Sequence, residues 1–261
     1  MKQGLLFFYQ SWTDLVNHLS MIDYYLSKYD HITVILRPEA KPIFEFYLKN
    51  KNNITKIYDP LATTKVSKDF YNKFDANIYD YLLHGKLDAN RNDQYKNAFI
   101  SSSPSIHFNK KYYICYGIDY INKINFFNIE RDFNKENIFY EKFIAEHGSN
   151  YVLYHDNHLG DSAINFKKHE STQYIDLNGN ALDMFNMIKI LEHAKEMHFV
   201  DSVWASFCYI LDARYGIFKN IKIYIYPFVR KERWGGLLKD TYYKHELKLE
   251  PMSLDNWTIV V

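Results

Sequence analysis

A chain of 261 residues with 32 Lys plus Arg against 31 Asp plus Glu carries a formal charge of +1. No global field therefore recruits nucleic acid or anionic lipid, and a charged ligand must be met by a local pocket. Hydrophobic residues at 47% and charged residues at 24% exclude wholesale disorder, and the length suits one large α/β domain or two smaller ones.

The two cysteines, Cys115 and Cys208, can build neither a disulfide framework nor a cysteine-based zinc site, which fits a reducing compartment. The 24 Tyr and 19 Phe are spread along the chain and read as a compositional bias that fills core positions rather than as a stacking platform. The first apolar run, Leu5 to Tyr9, is too short for a signal sequence or a membrane span. A cytoplasmic protein with no transmembrane segment is expected.

That first run reads as a strand covered on both faces, followed by the polar turn Gln10-Ser11-Trp12-Thr13. From Asp14 the spacing of Leu15, Leu19, Ile22 and Leu26 predicts a helix, capped by Thr13 or Ser11. His31 to Leu36 is a second strand, Pro42 to Asn50 a helix, and Ile54 to Tyr58 a third strand. This order is that of a parallel sheet with right-handed crossovers. Residues 60–135 are less periodic, with Ala76 to Leu83 and Asn97 to Ser101 as further strand or helix fragments. A helix over Lys135 to His147, closed by Gly148, then opens a second series. Its strands are Tyr151 to Tyr154, Gln173 to Leu177, Met197 to Val200 and Ile221 to Tyr226; its helices are Ala181 to Ala194 and Ser202 to Ala213. The restart predicts two domains, 1–135 and 136–261, with one continuous sheet as the other arrangement the pattern allows.

In open α/β sheets ligands bind outside the carboxyl ends of strands, so the loops after each strand hold the candidates. Asp201-Ser202 opens a helix where free amides and the helix dipole favour a phosphate oxygen, and Ser206 stands one turn on. The same residues also suit plain N-capping. No glycine-rich phosphate loop is present, which removes most of the case for kinases and dehydrogenases. His155, Asp156, His158 and Asp161 have metal-ligand chemistry at a spacing that matches no standard site, so a donor-recognition loop with His155 and Asn157 is preferred and no metal is assigned. Arg230 and Lys231, with Arg233, could neutralise a diphosphate or form a solvated charge run. Asp14 could take a proton from an attacking hydroxyl, or simply favour a helix start; Glu39, Asp88 and His107 stand behind it as alternative bases.

Three stretches carry a resemblance: Thr13-Asp14-Leu15-Val16-Asn17, Tyr151-Val152-Leu153-Tyr154-His155-Asp156, and Ala194 through Ser202. Together they are similar to sugar-nucleotide-dependent glycosyltransferases of the GT-B fold, in the neighbourhood of the heptosyltransferases. The resemblance implies two Rossmann-like lobes facing a cleft, with parallel sheets and helices on both faces. It implies an acceptor-side first domain and a nucleotide-sugar-binding second domain whose last residues cross back to the first. Asp14 would then stand at the catalytic carboxylate and Asp201 with Ser202 at the donor phosphates. A glycan hydroxyl is the implied acceptor, and no cofactor or metal is needed beyond the nucleotide-sugar co-substrate. Ser11-Trp12-Thr13 departs from the glycine-rich lead-in of that family. The other reading kept open is a non-catalytic glycan- or nucleotide-binding module of the same fold.

Overall fold

A continuous apolar run needs cover on both faces, and strand β1 (Gln3–Phe8) has it: Leu5, Leu6, Phe7 and Phe8 are all buried. The structure, a computed structural model, describes residues 2–8, 15–60, 62, 78–83, 113, 117–156, 164, 169–179, 183–200, 202–226 and 254–260. The chain divides into two units, Met1–Ile129 and Glu130–Val261. Each has its own parallel sheet, so the single continuous sheet does not form.

In the first unit β2 (His31–Leu36), β3 (Ile54–Tyr58) and β4 (Tyr79–Leu83) join β1 in the order β3-β2-β1-β4. All pairs are parallel, with a register shift against β4 between Leu5 and Leu6. The helix predicted from Asp14 is split into a 3₁₀ turn, Val16–His18, and α1 (Leu19–Leu26). Leu15, Leu19 and Ile22 are buried as their spacing predicts. So, however, are Asn17, His18 and Ser20, because Tyr113 lies against them. Its hydroxyl donates to the Asn17 carbonyl at 2.7 Å and therefore accepts from Ser20 Oγ at 2.7 Å, while its ring stacks on His18. α2 (Lys41–Tyr47) carries Pro42 as its second residue, where the fixed φ suits a first turn, and packs Phe44 against Phe8. α3 (Asn122–Asn125) follows late in the unit, and Phe126 just after it meets Tyr24 of α1 edge-on.

The second unit opens with α4 (Phe133–His147), capped by Asp132, which accepts from the Lys135 amide at 3.1 Å. Glu136 is buried in this surface helix because Arg131 holds it together with Glu192. Gly148 ends the helix as expected, at φ +76°, a value only glycine adopts easily, and its ψ of 175° leads the chain on in an extended direction. Then come β5 (Tyr151–His155), β6 (Gln173–Asp176), α5 (Ile188–Glu192), β7 (Glu196–Val200), α6 (Val203–Tyr215), β8 (Lys222–Tyr226) and β9 (Trp257–Ile259). The sheet order is β6-β5-β7-β8-β9, again parallel.

Two expectations are corrected in this unit. Of the helix predicted over 181–194, the described residues 183–194 are α-helical only at Ile188–Glu192. Residues 184–187 make turns instead, with the Met187 amide shared between the Asp183 and Met184 carbonyls. Asn186 is a poor helix former, and Phe185 is drawn edge-on against Phe207 of α6 at 5.2 Å, a tertiary contact that outweighs local preference. The closing residues, expected to cross back to the first domain, form the edge strand β9 beside β8. Buried Asp212 near the end of α6 holds them there, accepting from Asn256 Nδ2 at 3.1 Å and Trp257 Nε1 at 2.9 Å.

The register gives the second sheet two unlike faces. Tyr151, Leu153, His155, Met197, Phe199, Ile223, Ile225 and Trp257 share one, and α4, α5 and α6 touch it through Phe143, the Ile190 carbonyl and Tyr209. The opposite face carries the row Asp176, Tyr154, His198, Tyr224. Among the described residues no helix is long and apolar enough to cross a membrane.

Candidate functional site

The order β6-β5-β7 decides where a ligand belongs in the second unit. From β5 the chain steps outward to β6 and then returns past β5 to β7, so the crossover direction reverses between β5 and β7. Connections leaving these two carboxyl ends diverge and open a crevice. His155 and Asp156 stand at the end of β5, and Ser202 follows β7.

Ser202 is the N-cap of α6, with extended backbone at φ −147°, ψ 172°, and its Oγ accepts from the Ala205 amide at 3.4 Å. The capping expectation for Ser202 thus holds, and its hydroxyl retains acceptor and donor capacity beyond this long bond. The Ser206 amide already bonds the Ser202 carbonyl at 3.1 Å, so Ser206, half-buried in the second turn, has only its hydroxyl to offer. First-turn amides such as those of Val203 and Trp204 have no intrahelical acceptor, and with the helix dipole they make this end attractive to an anion. At its far end α6 closes on Gly216 in the left-handed conformation, φ +65° and ψ 32°, where a Cβ would meet Lys219 at 2.5 Å.

Neighbouring loops are tied to this helix end. Asp176 accepts from the Asn178 amide and from its side-chain Nδ2, both at 2.9 Å, which closes a tight turn through Gly179 at φ +83°. Trp204 Nε1 reaches across to the Leu177 carbonyl at 3.2 Å. That bond ties the turn after β6 to the first turn of α6.

No protein-family model and no curated protein matches the sequence. Among solved structures, the chain is similar to a glycosyl transferase family 9 protein from Veillonella parvula. The identity is 10% and the TM-score 0.45, over 96% of this chain and 90% of that one.

Charge is unequally distributed around the crevice. His155 is buried on the helix-bearing face, beside Phe199 in the ladder. On the opposite face the Tyr154 hydroxyl is pushed up by burial and then by the Asp176 and Asp156 carboxylates. Two acids around a phenol repel phosphate but accept hydrogen bonds from hydroxyls and amines, so an anion is favoured at the α6 end and neutral polar groups at the acidic side.

Of the sequence-derived candidates, His155, Ser202 and Ser206 belong to β5, the cap and α6 of this second unit. Asn157, Asp201, Arg230 and Lys231 lie outside the described residues, as do His158, Asp161 and Arg233. Asp14 also lies outside them, within 9–14, the stretch that leaves the carboxyl end of β1. That end is where the first sheet's order reverses, between β1 and β4. Of the alternative bases, Asp88 and His107 lie outside the described residues, and Glu39 is exposed, with hydrogen bonds from its own backbone and from Arg37 at 3.1 Å holding its carboxyl below the usual range. Cys208 is fully buried, and burial with the nearby Asp212 charge pushes its thiol up, away from nucleophile chemistry. Among the described residues no group of three His, Cys, Asp or Glu side chains is arranged to hold a metal. Asp176 and Trp204 were not singled out from the sequence. The polar alternation of Tyr174-Ile175-Asp176 was the available signal for the first, and only the fold could supply the second.

Proposed function

We propose that the protein is a glycosyltransferase of GT-B type, heptosyltransferase-like, that moves a sugar from a nucleotide-sugar donor to a glycan hydroxyl. The observation that carries this reading is the N-terminus of α6 set at the switch point of the second sheet, beside an acidic, hydroxyl-accepting edge. Such a pairing suits a ligand that is anionic at one end and polyhydroxylated at the other. The sequence resemblance through Asp14 and Ala194–Ser202 supports the same reading.

In this reading the second unit holds the donor. Ser202, Ser206 and Asp201 meet the diphosphate, His155 and Asn157 lie beside it, and Arg230 and Lys231 neutralise the leaving group. The first unit holds the acceptor. The Asp14 carboxylate takes the acceptor hydroxyl proton, the acceptor oxygen bonds to the anomeric carbon, and the bond from that carbon to the phosphate oxygen breaks. Its electron pair leaves on the nucleoside diphosphate, whose charge the helix dipole and the two cations stabilise. This scheme calls for no metal, and its setting is the cytoplasm, where nucleotide sugars would be the co-substrates.

The test combines a thermal-shift screen against nucleoside diphosphates and nucleotide sugars with a transfer assay on Asp14→Asn. A ligand that binds only the folded state raises its stability. Asp14→Asn keeps the side-chain shape and removes the base, so transfer should fall about 10²- to 10⁴-fold with donor affinity unchanged. Wild-type turnover by Asp14→Asn would remove Asp14 from the mechanism. A protein that binds donor without turnover toward any glycan acceptor would be a binding module.

A further inference from the structure

Three side chains on the polar face of the second sheet, Glu196, His198 and Tyr226, form a row linked by one hydrogen bond and one close carboxylate–imidazole approach, which the mechanism above does not use. His198 lies flat against Tyr224 at 4.7 Å between ring centres and 14° between planes. Its Nε2 faces the Glu196 carboxylate at 3.4 Å, and its Nδ1 lies 2.9 Å from the Tyr226 hydroxyl. Glu196 and His198 alternate along β7, and Tyr226 is the last residue of β8, paired with Val200 just before the α6 cap.

The geometry assigns the protons. A nitrogen lone pair turned toward a carboxylate would be repelled, so Nε2 carries the hydrogen and Nδ1 is the acceptor. The phenol must then donate to Nδ1. Its oxygen keeps lone pairs and has no second hydrogen to give.

We infer that Tyr226 is a specificity-determining residue at the carboxyl end of β8, its hydroxyl polarised by His198 into a pure acceptor that selects an N–H or O–H donor on the ligand. Glu196 and His198 are positioning residues that act through it. The inference rests on the reading that a nucleotide sugar binds at this sheet edge, and it adds which polar group of that ligand is read. The donor is either an N–H of the base or a hydroxyl of the sugar.

A pH signature follows. Among the described residues, the groups facing His198 are Glu196 on its own strand, Tyr224 and Tyr226 on β8, and Tyr154 on β5, with Asp176 beyond Tyr154. Burial holds the imidazole below its ordinary range against the opposing pull of Glu196. Protonation turns Nδ1–H toward the phenol oxygen and frees the O–H of Tyr226, converting the site from acceptor to donor.

Isothermal titration should compare the unsubstituted protein, Tyr226→Phe and Glu196→Gln, using the adenosine, guanosine, cytidine and uridine diphosphates and their glucose conjugates. Tyr226→Phe keeps the ring and the fold and should weaken binding about three- to tenfold. Equal weakening for a diphosphate and its conjugate assigns the contact to the base; weakening for the conjugate alone assigns it to the sugar. With the glucose conjugates, whose diphosphate diester keeps its charge in this range, the unsubstituted protein should lose affinity as pH falls below the ordinary imidazole range, Tyr226→Phe should not, and Glu196→Gln should shift that profile. If one ligand binds and Tyr226→Phe matches the unsubstituted protein in affinity and pH profile, the inference is overturned while the glycosyltransferase reading stands. If none of the eight binds, both are overturned.

Discussion

Trp204 donates its ring N–H to the Leu177 carbonyl across 3.2 Å, joining the first turn of α6 to the turn that follows β6. The ring is fully buried, so the bond is shielded from water and locates the helix N-terminus relative to Asp176. Trp204→Phe should lower stability by about 2 kcal/mol, from lost volume and an orphaned carbonyl. Ligand affinity at the sheet edge should fall with it. Urea unfolding and donor titration on the one variant check both; unchanged donor affinity would show that the tie is purely structural.

Ser202 has two roles to separate. As a cap, its replacement by alanine should cost about 0.5–2 kcal/mol of stability, whereas glycine at the same position should cost only a few tenths. As a phosphate contact, it should be missed equally in both. Ser202→Gly is thus expected to melt near the unsubstituted protein while binding donor about fivefold more weakly, one neutral hydrogen bond's worth. Differential scanning fluorimetry with and without donor reads the two quantities separately.

Arg131 serves two carboxylates. It reaches Glu136 through Nε at 2.9 Å and Glu192 through Nη2 at 2.9 Å, and the Glu136 side chain has 0% exposure. Arg131→Met would strand a buried charge and should destabilise the second unit by about 3–5 kcal/mol. Replacing Glu136 by Leu in the same chain should recover much of that loss, because the penalty comes from the unpaired charge. A double-mutant cycle by chemical denaturation measures the coupling.

Because burial holds His198 below its ordinary range in the folded state, the unfolded chain binds a proton that the folded protein resists. Its contribution to stability is therefore complete above about pH 6.5 and is lost as pH falls toward the folded-state value. His198→Phe, which preserves a ring against Tyr224, should be less stable at neutral pH and should decline less steeply between pH 6.5 and 5. Unfolding midpoints across that window test it; parallel curves would mean that His198 does not titrate there.

Much of the site was legible because its signals are local. Ser202 after an apolar run and before an apolar helix signals a cap, and His155 directly follows the apolar run Tyr151 to Tyr154 that reads as a buried strand, which the structure extends by one residue to include it. The acidic edge was not legible in the same way. Asp176 matters because it lies across from Tyr154 in the ladder, and that adjacency is a property of pairing, not of composition. The chain Glu196–His198–Tyr226 likewise needs β7 and β8 side by side in one register.

Strand bounds such as His31–Leu36 and Ile54–Tyr58, the α/β class and the α6 start were determined by the sequence itself. Burial of apolar runs and the satisfaction of first-turn amides are settled among neighbouring residues, whatever the rest of the chain does. Only the tertiary structure decided that Asn17, His18 and Ser20 are buried beneath Tyr113, that residues 184–187 make turns against α6, and that Trp257 closes the second sheet on Asp212. Each of these depends on a partner distant in sequence. A hydrogen bond or ring contact made over such separations outweighs a local preference worth a fraction of a kcal/mol per residue.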